Sequence, residues 1–400
     1  MTEHGERDQL SVPVLLEEAA ARSGLDDWGD LSFTATLQLL IDSCRETADL
    51  NPTGWSVLRR AVLRHLRNRL YMQAYATADG DGVAWGRAAI SAPVVITGLP
   101  RTGTTLLHNL LALDACHRVL RFWEALHPVP PDPSRGTSEE ALVTAAERWL
   151  ERLYALTPGF RAIHGATARG PEECDALMQN SFASQHFDDM FRATAYSVWL
   201  NAADLVDEYG YYAFQLGVLT RPEDRERRWV LKSPSHLGYL ATLRATFPDA
   251  VVVHCHRDPC QAVGSYASLV LAVRSPHSDT VAPADVGRHA LERSARAMDR
   301  ALRARDAAGG AGFVDMAYAE LVADPLGAVR RLYARLGDEL HADTEAAMTA
   351  WLGDNPQHKH GRHRYTLEQF GLSAAEVSGR FAGYADRFSS HLAVDVPRTY

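Results

Sequence analysis

Between Val94 and Leu107 the chain passes from a β-branched apolar run, through a loop bounded by Gly98 and Gly103, into an apolar periodic segment. That order reads as strand, loop and helix start. The two glycines let the backbone curl tightly, so loop N–H groups point inward at the first turn of the next helix, a ready anion site. Thr102, Thr104 and Thr105 line the same loop. The hydroxyls of Thr104 and Thr105 add donors, and Arg101 adds a planar charged fork suited to phosphate or sulfate oxygens. Gly98 to Gly103 has the G-x-x-x-x-G frame of a nucleotide phosphate loop, but Thr104 stands where that pattern requires lysine. The lysine normally reaches the β- and γ-phosphates. Its absence disfavours a metal–triphosphate and leaves a loop suited to a single 5′-phosphate.

Three further segments read as strands that stop at polar or charged turns. Arg228–Leu231 ends at Lys232, Ala250–His256 ends at Arg257, and Phe313–Met316 leads into Tyr318. Helical patterns separate them, at 237–247, 261–273 and 284–307, and Pro325 suits the first turn of a helix through Leu336. This alternation predicts an α/β fold: a P-loop-like parallel sheet flanked by helices, with ligands at the carboxyl ends of the strands. Residues 1–88 read as an N-terminal helical region. Residues 89–400 read as the α/β domain, with a helical insertion at about 130–220 on the acceptor side. His117–Trp123 reads as a short strand, 138–156 and 172–217 as helices, and the arginines among Leu58–Leu70 as a solvated helix face. The aromatics between Phe182 and Phe214 read mostly as core, with room for some to line an apolar pocket. In a parallel sheet the turns after the strands share one edge, so Arg101, Lys232 and Arg257 converge there. A fourth basic cluster, Gln357–Tyr365, lies near the end of the chain.

Composition narrows the ligand. With 400 residues, 46% hydrophobic and 23% charged, the chain is ample for a sizeable core. A formal net charge of −9 excludes a general nucleic-acid or anionic-membrane binder, so any anion must meet a local basic cluster. The five cysteines are scattered, with neither metal spacing nor a disulfide framework. Together with a polar Met1–Gln9 and the lack of a run of ~20 apolar residues, they lead us to expect a cytoplasmic protein without a membrane span.

At this point the sequence resembles a known family. From about 90 to 390 it is similar to sulfotransferases that use 3′-phosphoadenosine 5′-phosphosulfate (PAPS), and more narrowly to their bacterial-type branch. Gly98-Leu99-Pro100-Arg101-Thr102-Gly103-Thr104-Thr105 resembles the family's 5′-phosphosulfate loop. Val253-His254-Cys255-His256-Arg257-Asp258-Pro259, with Ser265 eight residues past Arg257, resembles the segment whose Arg and Ser bind the 3′-phosphate. Leu231-Lys232-Ser233-Pro234-Ser235-His236 resembles the Lys-containing catalytic segment. Tyr318-Ala319-Glu320-Leu321 with Asp324-Pro325 resembles a further signature, whose Tyr lies near the adenine. Lys359 to Arg364, with Lys359 and Arg362 as the implied ligands, looks like the segment that closes over the nucleotide. Tyr365–Leu372 is typical of the bacterial branch. Two departures stand out. Many cytosolic members carry Lys where this chain has Arg101, and a catalytic His where it has Pro234, so their general base does not carry over.

The resemblance implies in-line sulfuryl transfer from PAPS to a hydroxyl of a small, partly apolar acceptor (an alcohol, phenol or lipid-like metabolite), leaving adenosine 3′,5′-bisphosphate (PAP). The protein's part is positioning and charge stabilisation. No metal is expected, since a sulfuryl group carries less charge than a phosphoryl. Arg101 and Lys232 are the expected charge stabilisers. The base candidates are Glu172, Glu173 and His236, with His108 behind them, while His254 and His256 read as core histidines. Glu172 and Glu173 open the aromatic block, where desolvation raises a carboxyl pKa. They are also the residue type favoured in a first helical turn. Two rivals stay open: a P-loop nucleotide kinase, and a non-catalytic PAP-binding module of the same fold. The sequence leaves oligomeric state open, a homodimer included.

Overall fold

The structure, a computed structural model, describes residues 10–78, 90–131, 137–157, 165–356 and 365–392. Five strands, β1 (Val94–Gly98), β2 (His117–Arg118), β3 (Arg228–Lys232), β4 (Val251–His256) and β5 (Phe313–Ala317), form one parallel sheet in the order β2-β3-β1-β4-β5. β1 is buried along its whole length because helices cover both faces, which is why its sequence is an unbroken apolar run. The period-2 alternation of side chains divides the core in two. Val94 and Ile96 face Leu107, Leu110, Val329 and Leu332 on one side, whereas Val95 and Leu231 join the larger core on the other.

After β1 the chain runs to the far edge of the sheet, while β4 leads to the opposite edge. The carboxyl ends of β1 and β4 therefore open at a point where the connections diverge, the usual place for a ligand in an open α/β sheet. The register aligns Gly98 with Cys255, so both polar turns leave the sheet at the same level. Here Gly98 is required. A Cβ on it would lie 2.4 Å from the Cys255 carbonyl oxygen and 2.8 Å from Thr102 Oγ1.

The helices after β3, β4 and β5 fall close to expectation, at Leu240–Thr246, Pro259–Arg274, Pro283–Ala307 and Pro325–Leu336. Three N-terminal helices, Val12–Ser23, Phe33–Thr47 and Pro52–Ala78, pack into the larger core, where Leu58, Leu66 and Leu70 share a cluster with Phe182, Tyr212 and Trp229.

Three expectations need correction. The strand at His117 ends after two residues, and Phe122–Leu126 is helical. The cause is a buried charge cluster: Arg118 donates to Glu124 at 2.6 and 2.9 Å and to Asp224 at 3.2 Å, and Glu124 caps the new helix through the Arg121 N–H. The block 172–217 is not continuous but four helices, Asp175–Met178, Gln185–Met190, Thr194–Ala202 and Val206–Leu219, with a short 3₁₀ turn at Gln179–Ser181. Phe182 and Leu205 break it, each at a positive φ that an L-residue helix cannot continue through. The arginines of Pro52–Ala78 are not all a solvated face: Arg60 is exposed, but the others are partly or fully buried. Arg69 is buried between the rings of Phe33 and Tyr211, at 3.8 and 4.2 Å, and donates to the Asn180 carbonyl. Burial lowers Arg64 to about 10.

Candidate active site

The loop after β1 is held in shape by its own residues. Thr102 is buried, and its hydroxyl donates to the Leu99 carbonyl at 2.7 Å, so it braces the loop from inside. Arg101 adopts φ +71°, a left-handed conformation that costs a non-glycine residue of order 1–3 kcal/mol and concentrates at functional sites. Gly103, at φ +86°, starts the helix Thr104–Leu111, and a Cβ there would lie 3.0 Å from the Tyr318 ring. The glycine thus lets the residue after β5 reach the loop after β1. Thr104 is buried and Thr105 exposed on that helix's first turn.

Arg101, Arg257, Ser265 and Tyr318 come together at the β1–β4 opening. Arg257 Nη1 donates to the Arg101 carbonyl at 2.6 Å, Arg101 Nε donates to Ser265 Oγ at 3.4 Å, and the Arg257 guanidinium lies 4.1 Å from the centre of the Tyr318 ring. Gln261, one turn into the following helix, accepts from Arg257 Nε and Nη2 and fixes its plane. Sequence reasoning passed over Gln261, although its place four residues after Arg257 at a helix start was a usable signal. Arg257 forms no ion pair among the described residues. Burial, and then the Arg257 charge, lower the Arg101 pKa. Among the described residues the Arg257 guanidinium bonds only the Arg101 carbonyl and the neutral Gln261 amide oxygen, a setting that favours an added anion. Lys359 and Arg362 lie outside the described residues.

A second cluster forms at the end of β3. Lys232 is buried there, and its Nζ meets Glu173 Oε1 at 2.5 Å. The turn carrying Glu173 is stitched to that strand end. The Cys174 N–H donates to the Lys232 carbonyl at 2.9 Å, the Lys232 N–H donates to Cys174 Sγ at 3.2 Å, and the Glu172 N–H donates to the Leu120 carbonyl at 2.7 Å. Thr97 on β1 donates to the Ser233 carbonyl, tying the segment to the central strand. Glu172 turns back on the backbone, accepting from the Glu173 N–H at 2.7 Å. Glu173 also raises the Arg101 pKa, so its charge links the two clusters.

The histidines divide differently. His236 is buried, with Nδ1 2.7 Å from the Tyr209 hydroxyl, and burial lowers it to about 4. His108 is buried beside the sheet and is lowered to about 3 by burial and then by Lys232. His254 and His256 are core groups on β4. His256 Nε2 bonds Asp315 at 2.9 Å and Nδ1 faces the Tyr384 hydroxyl at 3.2 Å. Among the described residues, His254, His256 and Asp315 are the one trio close enough together to share a metal ion. Arg305 already grips both Asp315 oxygens, at 2.8 and 2.9 Å, and reaches His254 Nδ1. A guanidinium at that spot serves the balancing role a cation would.

These clusters gather at the carboxyl ends of β1, β3 and β4, and residues 93–342 match the model of the sulfotransferase family, a family of group-transfer enzymes. The chain belongs to that family. Over 293 residues it is 25% identical to omega-hydroxy-beta-dihydromenaquinone-9 sulfotransferase Stf3 of Mycobacterium bovis, covering 69% of this chain and 71% of that protein. Among solved structures, sulfotransferase STF1 from Mycobacterium tuberculosis aligns with a TM-score of 0.81 at 32% identity, over 93% of this chain and 98% of that one. Sulfotransferase STF9 from Mycobacterium avium aligns at 0.79 and 30%, over 95% and 97%. No helix among the described residues is long and apolar enough to cross a membrane.

Proposed function

We propose that this sulfotransferase moves the sulfuryl group of PAPS to the hydroxyl of a small, partly apolar acceptor. The observation that carries the proposal is the Lys232–Glu173 pair at 2.5 Å, set beside two guanidiniums at the carboxyl ends of β1 and β4. In this reading the loop from Arg101 to Thr105 takes the 5′-phosphosulfate. Arg257 and Ser265 take the 3′-phosphate, and Tyr318 takes the adenine side. The missing P-loop lysine and the doubled arginines favour a nucleotide with anions at two places over a metal–triphosphate.

Glu173 is the proposed base. Hydrogen-bonded to Lys232, its carboxylate accepts the acceptor's hydroxyl proton as the new O–S bond forms. The S–O bond to the 5′-phosphate breaks, and PAP departs with the electron pair. Lys232 then has a second task, because its ammonium can follow the charge onto the bridging oxygen. His236 is a weaker base here, since burial suppresses its protonated form and Tyr209 holds its Nδ1. The acceptor class rests on the apolar helical block that carries Glu173 at its entrance, and a relative named for a hydroxylated dihydromenaquinone agrees with a lipid-like alcohol.

The test is turnover of PAPS with an alcohol or phenol acceptor by Glu173→Gln, Lys232→Ala and His236→Phe. Loss with the first two and retention of chemistry in the third supports the assignment. PAP binding with no transfer to any acceptor supports the non-catalytic module instead.

A further inference from the structure

Of the arginines on the helix Pro52–Ala78, three have an evident setting. Arg59 pairs with Glu18, Arg60 lies in solvent, and Arg69 is held between the rings of Phe33 and Tyr211. Arg64 and Arg67 have none. Three positions apart, they share one face of the helix, where like charges repel. Both are half-buried, and neither forms an ion pair among the described residues. Arg64 Nη2 donates to His65 Nε2 at 3.1 Å, and its guanidinium lies 5.8 Å from the centre of the Trp149 ring. Arg67 Nη2 donates to the Tyr71 hydroxyl at 3.2 Å, while its Nε is buried without a partner. These partners carry no negative charge. His65 is neutral, since burial holds its pKa well below the usual range, and its Nδ1 is taken by Asn180 Oδ1 at 2.8 Å. Burial lowers the Arg64 pKa to about 10 with no carboxylate to oppose it.

A third basic group comes from another element. His127 follows the helix Phe122–Leu126 and is half-buried, and burial together with the charges of Arg64 and Arg67 lowers it to about 4. Three basic side chains thus lie within reach of one another's charge, partly desolvated and with no acid among them, whereas charges taken from water are normally paired. None of the three is sealed. Each keeps part of its surface in solvent, so an ion can approach from outside and no internal cavity is needed. The cluster also stands near the proposed base. The turn that carries Glu173 is bonded to the start of the Phe122–Leu126 helix, through the Glu172 N–H to the Leu120 carbonyl and the Phe122 N–H to the Gly170 carbonyl. That helix has 5 residues and spans roughly 7.5 Å, with His127 at its far end.

We propose that Arg64, Arg67 and His127 form a second anion site, apart from the nucleotide opening, that takes an oxyanion such as a carboxylate or phosphate group. The two guanidiniums offer charge-assisted hydrogen bonds, and a bound anion lets His127 hold a proton and donate as well. Two sources share this chemistry: the charged far end of an acceptor whose hydroxyl is at Glu173, or a free inorganic anion. Assigning the anion to the acceptor rests on the reading above, whereas the site itself does not.

The test loads the protein with PAP, so that the nucleotide opening is filled, and follows the His127 ring by NMR at pH 6, its signal assigned by its loss in His127→Gln. Inorganic phosphate should carry the ring from the neutral toward the charged form, because a bound anion raises a histidine pKa by about 1–3. Sodium chloride at the same ionic strength should not. The response should vanish in the double variant Arg64→Gln/Arg67→Gln and persist in Arg60→Gln, which removes an exposed arginine of the same helix. No response to phosphate or to 6-hydroxyhexanoate, a response that sodium chloride reproduces, or one that survives the double variant would overturn the site. Turnover then assigns the source. If the acceptor brings the anion, kcat/KM for 6-hydroxyhexanoate should exceed that for hexan-1-ol by about ten-fold or more, and the double variant should lose that preference. A phosphate response without the preference supports the site with a free anion as its ligand. PAP titrated alone separates the two levels. Failure of PAP to bind removes the donor reading, and the His127 response still decides the anion site.

Discussion

The two halves of the proposed site, a donor side and an acceptor side, are built by opposite means. On the donor side, charged groups sit on loops that leave adjacent parallel strands, and each loop is one short stretch of sequence. Arg101, Arg257 and Tyr318 meet there because the register of β1, β4 and β5 brings three strand ends level. On the acceptor side, helices interrupted at Phe182 and Leu205 fold a set of aromatics around a few buried polar groups, drawn from residues far apart in the chain. A sheet places its loops by backbone geometry alone, whereas a broken helical block places its groups by packing. Donor recognition should therefore respond to single charges, and acceptor recognition to burial and shape.

The largest expected effect tests where the two sides join. Glu173→Gln keeps the volume and removes the proposed base, and should lower kcat by about 10²–10⁴-fold while leaving PAP affinity nearly unchanged. A kcat within a few-fold of wild type would detach Glu173 from the chemistry.

The next effect belongs to the acceptor side and is one of stability. Burial raises the Asp175 carboxyl from 3.8 to about 6. The folded chain takes up this proton before the unfolded one, so the associated stability is fully present below about pH 3.8 and is lost as pH rises through 6. At pH 8, Asp175→Asn should therefore stabilise the protein by about 3 kcal/mol, read from urea transitions. His236 works in the other direction. Lowered from 6.5 to about 4, it contributes stability that is present above 6.5 and lost as pH falls toward 4. The Asn variant should accordingly lose stability more steeply than wild type between pH 6 and 4. A variant no more stable than wild type at pH 8 would mean that Asp175 is not held in an apolar setting.

Smaller effects fall on the donor side. Arg257→Ala should weaken PAP by about 1.5–3 kcal/mol, the range for hydrogen bonds to charged groups, with stability little altered. Gln261→Ala, which frees the guanidinium without removing it, should cost less, about 1 kcal/mol in PAP affinity. Tyr318→Leu, which removes the ring beneath Arg257, should cost about 0.5–1 kcal/mol. If these three came in the reverse order, the arginine would not be the centre of the donor site.

The same contrast explains what could be read before any coordinates. The sheet, its loops and the helix from Pro325 to Leu336 were legible because β-branched apolar runs, Gly98, Gly103 and an N-terminal proline are local signals. The gathering of Arg101, Lys232, Arg257 and Ser265 near the strand ends was legible because each sits in a contiguous motif. The pairing of Lys232 with Glu173 was not, since the two are brought together by the backbone exchange between Cys174 and Lys232. Nor was the short β2: a buried Arg118 held by Glu124 and Asp224 is a contact across 106 residues, and no window of sequence contains it. The arginines of Pro52–Ala78 misled for the same reason. Charge alone suggests solvent, and only the rings of Phe33 and Tyr211 reveal Arg69 as packed.

The central claim is that the opening between β1 and β4 recognises two separate anions on one nucleotide. Calorimetric titration with PAP and with adenosine 5′-monophosphate, which lacks only the 3′-phosphate, tests it most directly. The account predicts that PAP binds the wild type at least about ten-fold more tightly, and that Arg257→Ala removes most of that difference. Equal affinity for the two nucleotides, or a difference that survives in Arg257→Ala, would contradict it.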